Sequence, residues 1–179
     1  MKKRNRNNRK RGSALEKKVA DYLGMFVVPY SGSNNRFGWG DVRDIESNDI
    51  GGYWTGECKS ITPRNKDEVH VIKREWIDDI KRRAEEYCTS WFLAFNGYRS
   101  PITYNDTALY IEHFDRHIIL KKKSHNVVNY RIPKKVLPKD GEIIELKNEG
   151  DTNTIFIMRI NLFKKMIMDN RLHDRFIRL

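Results

Sequence analysis

Trp91-Phe92-Leu93-Ala94-Phe95 constrains this chain more than any other stretch: five apolar residues in succession, the length of a strand, with no polar position among them. A strand with one face in water alternates apolar and polar residues. One without alternation reads as a central strand, buried in the sheet it belongs to. Asn96-Gly97 closes the run with a turn. The segment before it, from Arg74 to Cys88, has helical spacing: Trp76, Ile77, Ile80, Ala84, Tyr87 and Cys88 line one face, and Lys81, Arg82, Arg83, Glu85 and Glu86 the other. An earlier helix is expected to start at Ser13 as N-cap, to carry the stripe Leu15, Val19, Tyr22 and Leu23, and to end at Gly24. Between these helices, Met25 to Tyr30, Asp41 to Ile45 and Tyr53 to Lys59 read as strands. The order helix, three strands, helix, strand predicts an α/β fold with a mixed central β-sheet flanked by helices.

Beyond residue 100 the chain is rich in strand-like segments. Leu109 to Glu112, Ile118 to Leu120, Val127 to Ile132, Glu142 to Leu146 and Ile155 to Ile160 are of this kind, the last two paired across Asn148 to Asp151. Lys121 to Lys123 reads as a solvated basic turn, and Asn161 to Phe176 as a closing helix that buries Leu162, Phe163, Met166 and Ile167. The expected organisation is a basic flexible tail over 1–12, a core over 13–100 and a β-rich C-terminal extension over 101–179 within the same domain.

Charge narrows the partner. Thirty-five Lys+Arg against 24 Asp+Glu leave a formal net charge of +11. Lys2, Lys3, Arg4, Arg6, Arg9, Lys10 and Arg11 supply seven positive charges with no acid among them, so the body keeps +4. A surplus of this sign attracts polyanions, and nucleic acid is the expected partner. The tail reads either as a solubilising segment or as an arm that adds phosphate contacts, and the two roles are compatible. No apolar run approaches the ~20 residues that span a bilayer, and no apolar segment follows the basic start, so neither a membrane nor a secretory route is expected. Cys58 and Cys88 have no spacing that suggests a disulfide framework or a zinc site. A cytoplasmic protein is the expectation. There is no phosphate-binding Walker loop and no G-x-S-x-G, which disfavours ATP-driven and serine-nucleophile enzymes.

The chemistry concentrates between Gly40 and Lys59. In a strand through Tyr53-Trp54-Thr55-Gly56-Glu57-Cys58-Lys59, the residues Tyr53, Thr55, Glu57 and Lys59 share one face, and Trp54, Gly56 and Cys58 the other. Glu57 and Lys59 then point the same way, about 7 Å apart along the chain. Asp41 starts the preceding strand, after Gly40, and can lie beside them. Metal-assisted phosphodiester hydrolysis needs such a set, because carboxylate-held divalent ions activate water and balance the charge of the transition state. Mg²⁺ takes hard oxygen ligands, keeps several waters and needs only one or two protein carboxylates. Asp41 and Glu57 would supply them, with the backbone carbonyl of Cys58, and Mn²⁺ would substitute. Lys59 would orient or deprotonate the attacking water, or neutralise the phosphate. Glu16 has two readings: the far partner of a Ser13-x-x-Glu16 capping box, or a fourth group reaching the site directly or through water.

These residues resemble the PD-(D/E)xK nuclease superfamily, with Gly40-Asp41 in place of its P-D and Glu57-Cys58-Lys59 as its E-x-K. More closely, the chain is similar to archaeal-type (Hjc-like) Holliday junction resolvases. Arg11-Gly12-Ser13-Ala14-Leu15-Glu16 matches their basic-glycine opening and helix glutamate, and Val27-Val28-Pro29-Tyr30-Ser31-Gly32-Ser33 their apolar strand and serine-glycine-serine loop. Val71 to Trp76 through Phe95 matches their next helix and strand. The likeness spans Arg9 to Gly97 and departs from the family at Gly40, where proline is usual, and in the long segment after Ser100.

What the resemblance implies is a restriction-endonuclease-like core in a homodimer that nicks two strands of a four-way DNA junction with Mg²⁺. Glu16, Asp41, Glu57 and Lys59 would form the active site, and a loop serine, Ser33 ahead of Ser31, would act in catalysis or in placing DNA. Arg9, Lys10, Arg11, Ser31, Arg36, Lys73 and Arg74 would be the DNA contacts. Two other readings stay open: another PD-(D/E)xK nuclease in restriction, repair or genome degradation, and a basic nucleic-acid-binding protein without chemistry.

Overall fold

A computed structural model describes residues 2–29, 40–43, 54–61, 69–87, 89–97, 108–111, 122–128, 130–149 and 154–166. Helix α1 spans Lys2–Leu23, followed by strands β1 (Phe26–Val27), β2 (Val42–Arg43), β3 (Trp54–Ile61) and β4 (Val69–Val71). Helix α2 (Arg74–Glu86) leads into β5 (Ser90–Gly97), then β6 (Ala108–Ile111), β7 (Lys122–Val127), β8 (Arg131–Pro133), β9 (Ile143–Asn148) and β10 (Thr154–Arg159). A further helix, α3, covers residues 160–166.

Eight strands form one mixed sheet in the order β1-β2-β3-β5-β6-β10-β9-β7, and β4 pairs with β8 in a small second sheet. The first three strands are an antiparallel meander. The chain then crosses through α2 to return in β5 parallel to β3, with Glu57 opposite Leu93 and Lys59 opposite Phe95. Four strands from beyond residue 100 continue the same sheet past β5.

The unbroken apolar run in β5 is explained by its neighbours. Phe92 and Ala94 pack into a core with Leu15, Val19, Ala20 and Leu23 of α1 and Phe163 of α3. Trp91, Leu93 and Phe95 pack on the other side with Ile77, Ile80 and Ala84 of α2 and with Ile72 and Ile132 beside the small sheet. Every residue from Trp91 to Phe95 is buried. Covering both faces of a strand takes two layers, and the two helices expected from periodicity supply them.

Several local expectations are corrected. Residues 2–12, read as a flexible tail, are helical from Lys2, and Ser13 lies inside α1 rather than at its N-cap. Periodicity could not detect this first half, which has no apolar stripe to repeat, while Lys and Arg are good helix formers. Gly24 ends α1 as expected, at φ 69°. Lys122 and Lys123, read as a turn, belong to β7, which lies parallel to β9. Leu162, Phe163 and Met166 of α3 are buried as expected, and Ile167 lies outside the described residues. The pairing of the last two strands holds, as β9 with β10. Among the described residues no helix is long and apolar enough to cross a membrane.

Candidate functional site

The site forms where β2 meets β3. Val42 pairs with Gly56 and Arg43 with Thr55. One further step of that antiparallel register sets Asp41 opposite Glu57, with Lys59 two residues along. The alternation expected for β3 holds: Trp54 and Cys58 lie in the core under α1, while Glu57 and Lys59 meet side chains of α2.

Asp41 is anchored from two directions. Its carbonyl accepts the Val28 N–H at 2.9 Å, and its Oδ2 accepts the Cys58 N–H at 2.7 Å. Its carboxylate therefore takes the place of a ladder acceptor on β3 and is 7% exposed. Gly40 permits this close approach, and Gly56 makes room for a ring on the opposite face. A Cβ on Gly40 would overlap the carbonyl oxygen of Gly56, and one on Gly56 would overlap the Phe92 ring.

Charge is concentrated here, and among the described residues the cations that reach it pair with Glu57 rather than with Asp41 or Glu16. Burial raises the Asp41 pKa to about 7, with the Glu57 and Glu16 carboxylates adding to the rise and the Cys58 N–H and Lys59 opposing it. Glu16 is raised by burial and by Glu57, against the pull of Lys59. Two carboxyls, one from α1 and one just before β2, are thus disfavoured as anions by the same surroundings, a state that a bound cation would relieve. Burial pulls the Lys59 pKa down, but Glu57, through charge and hydrogen bond, and Asp41 outweigh it, so the net shift is upward. Lys59 is a proton-bearing ammonium in this arrangement. It can neutralise a phosphate or orient water, and it is not poised as a base. The Cys58 thiol, buried in the α1 core, is pushed well up and is inert as a nucleophile; what Cys58 contributes is its backbone.

Glu57 is held from both sides. Lys59 pairs with Oε1, and Arg83 of α2 donates to Oε2 at 3.4 Å. The Lys59 ammonium also lies 5.5 Å from the ring centroid of Trp76, and Lys73 lies at the same distance from that ring. The predicted DNA contact Lys73 thus borders the site, although its ammonium is paired with Glu75. Arg74 lies next to it on the exposed start of α2, 3.7 Å from Asp78.

Glu16, Asp41, Glu57 and Lys59 are brought into one electrostatic cluster from three separate stretches of sequence. The capping-box reading of Glu16 is overturned, because α1 starts fourteen residues before it. Arg9, Lys10 and Arg11 belong to the basic half of α1. Ser31, Ser33 and Arg36 lie outside the described residues.

Arg83 was not expected. Its position in the sequence assigns it to the outer face of α2, yet its side chain is only 18% exposed and reaches Glu57. A signal existed: Trp76, Ile80 and Arg83 fall at i, i+4 and i+7, which places Arg83 on the border of the apolar stripe.

Among the described residues no three His, Cys, Asp or Glu side chains are gathered as a ready-made metal cage. The donor set is compatible with an ion that needs one or two carboxylates and keeps its waters, as Mg²⁺ does, and Asp41 and Glu57 are the residues that could hold it. No protein-family model, curated protein or solved structure gives a significant match to this chain. A functional reading therefore stands on these residues and their placement.

Proposed function

We propose that this protein is a divalent-metal-dependent DNA endonuclease of the PD-(D/E)xK kind that acts on four-way junctions as a homodimer in the cytoplasm of a bacterial, archaeal or phage-infected cell. The observation that supports it most is the joining of β2 to β3 through Asp41. One hydrogen bond to the Cys58 N–H brings a buried carboxylate beside Glu57 and Lys59, in the order and on the elements that the E-x-K reading requires. An antiparallel meander followed by a helix and a parallel strand is also the arrangement expected of a restriction-endonuclease-like core. Glycine instead of proline before Asp41 is accounted for, since any Cβ there would overlap the Gly56 carbonyl.

In this reading Asp41 and Glu57 hold Mg²⁺ or Mn²⁺, which supplies water activation and counter-charge. Lys59 carries a fixed positive charge to the scissile phosphate. Glu16 orients water at the edge of the cluster. The seven cations at the start of α1, with Lys73 and Arg74 at the start of α2, attract the DNA backbone.

The test is to incubate the protein with labelled four-way junction and with linear duplex of the same sequence, with and without Mg²⁺. Paired nicks in the junction alone are expected. Equal cutting of both substrates would assign a general nuclease. Binding without cutting across a range of Mg²⁺ and Mn²⁺ concentrations would sink the enzyme reading and leave a nucleic-acid-binding protein.

A further inference from the structure

Glu57 has both of its oxygens engaged by cations from different elements, Lys59 on its own strand and Arg83 on α2. The other end of the Arg83 guanidinium donates to Asp79 Oδ2 at 2.7 Å, one turn earlier on the same helix. We infer that Arg83 is a positioning residue for Glu57, and that Asp79 sets the charge with which it acts. The inference rests on the reading of Asp41 and Glu57 as the metal-holding pair.

The geometry favours positioning over simple charge balance. A glutamate side chain has several rotatable bonds, and ordering it at a metal costs conformational entropy if it is otherwise free. Arg83 and Lys59 impose that order beforehand. Each carboxylate oxygen offers two lone-pair directions, so accepting from Arg83 on one leaves the other for a cation. The flat guanidinium can hold Glu57 and Asp79 at once, whereas a lysine ammonium lacks the fork to do so in fixed directions.

A lone arginine beside a metal site would repel the ion. Here the Asp79 carboxylate, 2.7 Å from Arg83 and shared with the exposed Arg82 at 3.0 Å, offsets part of that charge. Positioning and repulsion predict opposite outcomes when Arg83 is removed, which makes the assignment testable by sign.

The experiment titrates Mn²⁺ alone into the full-length protein by calorimetry, beside metal-free thermal unfolding of each variant to confirm the fold. Arg83→Met keeps the aliphatic stem and removes every donor. It is expected to weaken Mn²⁺ binding by about 10–100-fold, the usual effect of losing a group that orients a ligand. Arg83→Lys should recover part of that loss. Asp79→Asn should weaken binding by a smaller factor, because it exposes the Arg83 charge. On the DNA substrate that wild type cleaves, the Arg83→Met defect should shrink as Mn²⁺ is raised. Unchanged or tighter Mn²⁺ binding by Arg83→Met would overturn the inference while leaving the nuclease reading in place. Failure of wild type to bind Mn²⁺ at all would overturn both.

Discussion

The two faces of β3 have opposite fates within a few residues of each other. On the α1 side, Trp54 meets Phe163 edge-to-face at 5.0 Å, and Gly56 leaves just enough room for the Phe92 ring. That face is apolar, buried and closely fitted. On the α2 side, Thr55 bonds to Thr89 at 2.9 Å, and Glu57 and Lys59 form part-buried ion pairs with each other and with Arg83 of α2. One face gains stability from every contact. The other carries an anion at Asp41 that its surroundings disfavour. Ionisable groups perturbed by burial and by one another gather at functional sites more often than elsewhere, which is why the polar face is the one to test.

The comparison can be broken most forcefully through chemistry. Asp41→Ala or Glu57→Gln should reduce metal-dependent cleavage at least about a thousandfold, equivalent to roughly 4 kcal/mol of transition-state stabilisation. DNA binding in the absence of metal should persist. Cleavage assays beside gel-shift binding decide this, and near-normal cleavage would return the polar face to a structural role.

The packed face should fail in the opposite manner. Gly56→Ala drives a methyl into the Phe92 ring and should cost about 3 kcal/mol of folding stability, read from the urea midpoint. The same substitution would also shift the strand on which Glu57 and Lys59 stand, so activity should fall in the fraction that remains folded.

A smaller effect distinguishes the faces by pH. The folded Asp41 titrates at about 7 instead of 3.8. Between those values the unfolded chain has lost the proton that the folded chain keeps, so metal-free stability falls as pH rises through that window, and the deficit is complete above it. Asp41→Asn keeps an oxygen for the Cys58 N–H and removes the buried charge. It should therefore stabilise the metal-free protein at pH 8 by at least about 1 kcal/mol, with no gain near pH 3.5. Mg²⁺ should raise the wild-type melting temperature more at pH 8 than at pH 5.5, since the ion competes with the Asp41 proton, and should do little for Asp41→Asn. A pH-independent Mg²⁺ effect would place the ion elsewhere.

The smallest expected change is at the rim. The Lys73–Glu75 pair is exposed on both sides, with side chains 56% and 66% accessible. Glu75→Ala should alter stability by less than about 0.5 kcal/mol. A larger loss would mean that Lys73 is fixed for a structural purpose and not held ready for DNA.

Much of the core half was legible in the sequence. The alternation in β3, the unbroken run in β5 and the apolar stripe of α2 are short-range periodicities, and each predicted its element with small shifts at the ends. The extension was less legible. Leu109 to Glu112, Glu142 to Leu146 and Ile155 to Ile160 were recognisable as β6, β9 and β10, but the one strand expected over Val127 to Ile132 is instead the end of β7 and most of β8. Strand order was not legible: β6 inserts between β5 and β10, which joins segments nearly fifty residues apart. Nothing local encodes that choice, since strand order depends on which edges remain open as the sheet grows. The N-terminal half of α1 escaped for a related reason, having no apolar residues to form a stripe that would announce it.

The sequence by itself determined the order of the elements, the two-sided burial of β5, the shared face of Glu57 and Lys59 and the basic surplus that points to a polyanion. All follow from side-chain direction along one strand or helix, or from a count of charges. Only the tertiary structure decided that Asp41 bonds to the backbone of Cys58, that Glu16 sits inside α1 within the field of Glu57 and Lys59 and not at a cap, and that Arg83 turns inward to Glu57. Those meetings depend on strand register and on how each helix is docked, and both are settled by packing across the whole sheet rather than by any segment alone.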